Sequence, residues 1–368
     1  MTSEPWPWVP ALAGAALLLL LAALGACSRN DAASSSDGST LGVVPPSDSV
    51  PRAPAAPPPE LAIDPADAPP ARLKLLDPGQ SPRRKLRYSW RPGQRETLVM
   101  DLRTSASTEE GSSKQPEIQL PPVHIVLAID PLDTSPAGDL SFAWRVTSTA
   151  VNPDAQTPAT LTDGMRAEVA AIEHLSGTAA VTSSGISTRI SIDPEQWHEV
   201  DAGARSQAGA SDVEGGASAA GVTRQMVEQV RQTLRDVAAP FPEEEVGVGA
   251  RWQKLSQLAS RDARVTQTEV FTLAKLTAST GALDDILAQT APPQPLLSPG
   301  GAPGTQARIE SMLASGDGKT QFDLTRLVPQ THFGGTTTMV VSSHTPQDDE
   351  RRMTMIMRVE IILAGTVR

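Results

Sequence analysis

The side chains of this 368-residue chain that could do chemistry are few and scattered. Cys27 is the only cysteine, which excludes an intrachain disulfide and any zinc site built from several thiolates. The five histidines, His124, His174, His198, His332 and His344, show no HExxH or His-x-His spacing, and no carboxylate stands at metal-ligand distance in sequence from them. There is no GxSxG elbow, no Walker loop and no dinucleotide fingerprint, so the sequence nominates no catalytic residue and no cofactor. Glu243, Glu244 and Glu245 are adjacent, whereas calcium loops space their ligands at alternate positions, so the triplet reads as a solvated loop. Trp252, a few residues on, reads as an aromatic entering the core with its strand. Met353, Met355 and Met357 recur at every second position. Such a thioether row makes an adaptable apolar face, suited to lipid tails or varied partners when open and to simple packing when closed.

The position of Cys27 is more telling than its number. From Val9 to Ala26 the chain is almost wholly apolar, centred on five consecutive leucines, and it ends in small residues directly before the cysteine. That layout is a signal peptide spanning 1–26. Leu24, Gly25 and Ala26 followed by Cys27 resemble the lipobox of bacterial lipoproteins, in which the thiol accepts a diacylglyceryl group and the peptidase cuts before the modified residue. The resemblance implies a membrane partner through lipid on Cys27. Ser28, in place of an aspartate, directs such a protein to the outer membrane of the cell envelope, facing the periplasm or the cell surface. The alternative reading of the same run is an uncleaved transmembrane anchor, since about 18 apolar residues just span a bilayer.

Behind the anchor, residues 27–72 are rich in Ser, Ala and Pro without apolar periodicity, and such a stretch cannot bury enough surface to offset its ordering entropy. It reads as a disordered tether that fully extended reaches on the order of 100 Å, at ~3.1 Å per residue. The globular body is then 73–368.

Alternation of apolar and polar residues dominates that body. It is clearest at Arg352 to Leu363, and recurs at Val123 to Ile129, Leu140 to Val146 and Ile186 to Ile192. Further strands are expected at Lys85–Trp90, Arg95–Ser105, Arg251–Leu258, Arg264–Leu276, Arg308–Ala314, Thr320–Leu327 and Thr336–Ser343. Helical spacing occurs at Val222–Ala238, ended by Pro240, and at Met165–Leu175, with Asp163 as N-cap and Gly177 after its end. Gly316-Asp317-Gly318 reads as a hairpin turn. The expected fold class is therefore α+β, mainly an antiparallel β-sheet with one long helix and one short helix. A similar order of parts in Gly177–Pro194 and Gly316–Pro329 suggests two sheet halves joined by helix 222–238.

A net charge of −11 disfavours nucleic acid and anionic lipid heads as partners. The one basic cluster, Arg83, Arg84, Lys85 and Arg87, reads as a solvated entrance to the body. The body resembles a family of bacterial lipoproteins that carries a domain of unknown function. The segments that carry the resemblance are Leu86-Arg87-Tyr88 leading to Gly93, Leu175-Ser176-Gly177, PFPEEEVGVGARW over Pro240–Trp252, and SGDGKTQFDL over Ser315–Leu324. It implies export and a β-rich fold and supplies no activity. The functional expectation is a noncatalytic envelope lipoprotein that binds a hydrophobic ligand or an envelope component. The alternative is a structural or protein-interaction module presented on a tether, and an enzyme is the least favoured reading.

Overall fold

The computed structural model describes residues 71–111, 113–153, 157, 159–196, 219–259, 264–296, 306–345 and 348–367. The signal segment, Cys27 and nearly all of the expected tether lie outside the described residues, as does His198.

In chain order the elements are β1 (Arg72–Asp77), β2 (Glu96–Glu110), β3 (Ser113–Lys114), β4 (Ile118–Gln119), β5 (Val123–Thr134), β6 (Leu140–Val151), α1 (Ala159–Ala170), β7 (Ser176–Val181), β8 (Ser187–Ile192) and α2 (Ala219–Arg235). They continue with β9 (Arg251–Ala259), β10 (Arg264–Leu276), β11 (Thr280–Ala291), β12 (Gln294–Leu296), β13 (Gln306–Asp323), β14 (Gln330–Thr345) and β15 (Asp348–Val367). All the strands join one antiparallel sheet, whose order is β1-β9-β10-β11-β13-β14-β15-β2-β5-β6-β7-β8, with β12, β3 and β4 as short attachments.

This corrects the α+β expectation. The described chain is a predominantly β structure, and its two longer helices, of 12 and 17 residues, are accessories to one large sheet. The sequence reading undercounted strand because it broke long strands at their glycines. The segment expected at Arg308–Ala314 and the first half of that expected at Thr320–Leu327 are one 18-residue strand, β13, which ends at Asp323 and is paired on both sides through the supposed turn. Gly316 and Gly318 sit mid-strand because neighbours occupy the space of a side chain. A Cβ on Gly316 would lie 2.3 Å from the Phe333 ring, and one on Gly318 would lie 2.4 Å from Oδ2 of Asp285.

Other boundaries move for local reasons. Asp163 is inside α1, paired with Arg166 at 2.7 Å, instead of capping the helix. The left-handed residue after α1 is His174 (φ 74°), while Gly177 belongs to β7, where the Ser191 carbonyl leaves no room for a side chain. Lys85–Trp90 is not a strand. Its alternate residues Leu86 and Tyr88 are buried, but its amides bond to separate places, Tyr88 N–H to the Ser183 carbonyl and Ser89 N–H to that of Leu324. No ladder forms.

The sheet is strongly curled. β9 and β2 are six strand spacings apart, ~29 Å on a flat sheet at ~4.8 Å per step. Yet Asp236, just past α2, bonds Lys254 of β9, and Thr233 in the last turn of α2 donates to Met100 Sδ of β2 at 3.4 Å. Three helical residues rise only ~5 Å, so both strands must wrap towards the same end of α2. There the Ser187 hydroxyl bonds the carbonyls of Leu234 and Arg235 (3.1 and 2.8 Å), pairing acceptors that a helix C-terminus otherwise leaves open.

Both helices lie at one end of the sheet. α1 packs on β6 and α2, and α2 packs on β8. Their buried residues Met165, Val169, Val227, Val230 and Leu234, with Ile172 just past α1, share a core with inward residues of β2, β5 and β6 such as Leu98, Ile125, Phe142 and Trp144. Just past the C-terminus of α2 the core is aromatic. Phe241 meets Tyr88, Trp252 and Phe322 at ring-centroid distances of 5.4, 6.3 and 4.9 Å, and Trp252 stacks on Phe271 at 5.9 Å. The buried Tyr88 hydroxyl and Trp252 indole donate to the carbonyls of Ala239 and Pro240, so both polar tips are satisfied. Buried Glu96 accepts the amides of Leu327 (2.8 Å) and Val328 (3.1 Å), tying β2 to the approach to β14.

Candidate functional site

Because the helices cover the β6–β8 end, the concave face of β9–β15 keeps a space beside the C-terminal end of α2. A cavity of about 190 Å³ lies there, lined from β9 across to β15.

One wall is apolar. Met357, Val359, Ile361 and Leu363 project at two-residue intervals from β15, with Phe333 on neighbouring β14 and Leu287 and Phe271 across the space. The expected methionine row divides here. Met355 is buried in the sheet interior opposite Met339, Met353 is half-buried opposite Val341, and Met357 alone of the three reaches the cavity. The apolar wall therefore starts where the methionine row ends, and the residues that extend it, Val359, Ile361 and Leu363, belong to the same alternation.

The opposite wall is polar and charged, and sequence reasoning missed it. Lys254 of β9 is buried, with its ammonium 2.5 Å from Asp236 and 3.4 Å from Glu269 of β10. Burial works against the Lys254 charge, yet the two carboxylates outweigh it and hold the ammonium above its ordinary range. Burial pushes the Glu269 carboxyl up, against the attraction of Lys254. Next along the wall, Asp285 of β11 is 4% exposed, leans over Gly318, and leaves Oδ1 without a hydrogen-bond partner. Desolvation, reinforced by Glu269, Asp284 and Asp317, pushes its carboxyl up to about 7. Gln289 donates to Gln267 at 2.8 Å beside it.

Chemically, this wall offers acceptors. Lys254 is spent on two carboxylates, and a held ammonium is no nucleophile. Three carboxyl groups against one ammonium leave the cavity lining poor in positive charge.

The remaining sequence candidates lie elsewhere. His124 bonds Asp101 (2.7 Å) and His332 bonds Glu360 (2.9 Å), both as side-chain pairs between neighbouring strands. Among the described residues no group of three or more His, Cys, Asp or Glu could hold a metal. Glu243–Glu245 are exposed, and Glu243 pairs with Arg87. The basic cluster fastens the entrance segment, since Arg84 bonds the Thr277 carbonyl and Arg87 the Pro242 carbonyl. The outer face of the long strands is charged, with Arg103–Glu360, Arg352–Glu310 and Arg358–Glu117 pairs, as on a water-facing surface.

No family model matches the chain, and no curated protein matches it. Among solved structures, similarity is found to Pseudomonas aeruginosa OpdQ, at 6% identity over 75% of this chain and 98% of the other with a TM-score of 0.18. The TodX monoaromatic hydrocarbon channel (9% identity, 74% and 90% coverage, TM-score 0.18) and Acinetobacter baumannii OccAB3 (4%, 74% and 99%, 0.17) are similar at the same level. Superpositions this loose carry no argument about architecture or transport. No described helix is long and apolar enough to cross a membrane.

Proposed function

We propose that this chain is a noncatalytic envelope lipoprotein that binds the apolar part of a small or amphipathic ligand inside its curled sheet. The observation that carries this reading is the cavity itself, with Met357, Val359, Ile361, Leu363 and Phe333 forming an apolar wall. Clefts that combine apolar lining with a few convergent polar groups are the usual form of small-ligand sites. The anchoring half of the reading rests on the apolar run Val9–Ala26 and the lipobox-like Leu24-Gly25-Ala26-Cys27.

Native mass spectrometry of the mature protein, released from membranes in mild detergent, is expected to show a noncovalent adduct beyond the polypeptide and its anchor. Ile361→Trp, which fills the apolar wall, should reduce the adduct at least tenfold. A clean mass at full recovery would reject ligand binding and favour the interaction-module reading. The same spectra should place a thioether-linked diacylglyceryl group on Cys27, and Cys27→Ala should accumulate as uncleaved precursor; an unmodified, water-soluble mature form would refute the anchor.

A further inference from the structure

We propose that the polar end of the cavity is a headgroup subsite for a cationic amphiphile, in which Asp285, supported by Glu269, receives a primary ammonium while the chain lies along Val359, Ile361 and Leu363. This deepens the ligand-binding reading above and rests on it.

Three observations on the polar wall converge. First, Asp285 Oδ1 is an orphan acceptor, in a side chain more than nine-tenths buried that lines the cavity. A buried acceptor left unpaired is destabilising, and a ligand N–H donor would relieve it. Second, Lys254, the only cation among the described residues of the lining, is committed to Asp236 and Glu269, so a carboxylate or phosphate head would meet a surplus of like charge. Third, the site is built for the carboxyl to sit there. Gly318 is the one residue of β13 opposite Asp285, and any side chain at that position would strike the carboxyl oxygens. The polar and apolar walls line one space of about 190 Å³, which suits a short alkyl chain or the head-proximal part of a longer one.

The test uses the full-length mature chain, stripped of bound ligand, in isothermal titration at pH 8 with three probes of equal length: octylammonium, octanol and octanoate. Octylammonium is expected to bind at least tenfold more tightly than octanoate, with octanol between them. Asp285→Asn should erase most of the octylammonium advantage and change octanol affinity less than threefold. In the unsubstituted protein, the Asp285 carboxyl carbon resonance should move on adding octylammonium and stay in place with octanoate, a readout independent of the variant. Equal affinity for all three probes, or a preference for octanoate, overturns the headgroup subsite and leaves the apolar cavity reading intact. Absence of binding by all three overturns both. An Asp285 resonance unmoved by bound octylammonium also overturns the subsite.

Discussion

Lys254→Met is expected to lower the unfolding free energy by about 3–5 kcal/mol, the largest effect of any single substitution in the cavity wall. The cause is what the substitution leaves behind. Asp236 and Glu269 converge on the Lys254 ammonium from α2's end and from β10, and Lys254 itself is only 6% exposed at the side chain. Without the cation, one carboxylate must take up a proton or the wall must open to water. Adding Glu269→Gln to Lys254→Met should restore most of the loss, because an amide removes the buried charge and keeps hydrogen-bonding capacity. Urea unfolding followed by tryptophan fluorescence measures both variants. A loss under about 1 kcal/mol for Lys254→Met would mean that water reaches the cluster freely, as for an exposed pair.

Asp285→Asn is expected to stabilise the protein, by an amount that grows with pH. The carboxyl rises from an ordinary 3.8 to about 7 in the folded protein, first through desolvation and then through Glu269, Asp284 and Asp317. Between these values the folded protein holds a proton that the unfolded chain releases. The stability associated with this group is thus full below pH 4, falls as pH rises towards 7, and is flat beyond. The amide cannot ionise, so the difference between variant and parent should open over that window and reach on the order of 4 kcal/mol. Urea midpoints at pH 4.5, 6 and 8 measure it. A difference constant with pH would show that Asp285 is ionised throughout and already solvated.

The same residues explain what could be read from the chain before its structure. Strand β15 was plain in the alternation from Met353 to Leu363, because one face is buried and the other wet. Strand β11 was overlooked, and the reason is functional in form. Its inward positions are Leu283, Asp285, Leu287 and Gln289, and those of β10 include Gln267 and Glu269, so polar residues occupy the face that a pattern search expects to be apolar. The broken alternation is the trace of the polar wall. Gly316 and Gly318 misled in the opposite sense, since a glycine pair around an aspartate signals a turn when only local sequence is weighed. Their actual cause is long-range: Phe333 and Asp285 each fill the place of a missing side chain. Lys254 carried no signal at all, because an isolated lysine in a strand names neither the end of α2 nor β10 as its partners.

The place of β1 at the rim of the sheet has a mechanical consequence. It is a six-residue strand, joined to the rest through β9 alone, with only Leu73 and Leu75 turned partly inward. Behind it, the Gln80 and Gly247 amides bond the Val248 and Pro78 carbonyls and clasp the chain to the loop before β9. Tension transmitted through the residues that precede Arg72 would peel β1 first and then be arrested at this clasp, so the cavity between β9 and β15 is shielded from pulling by a sacrificial strip of sheet.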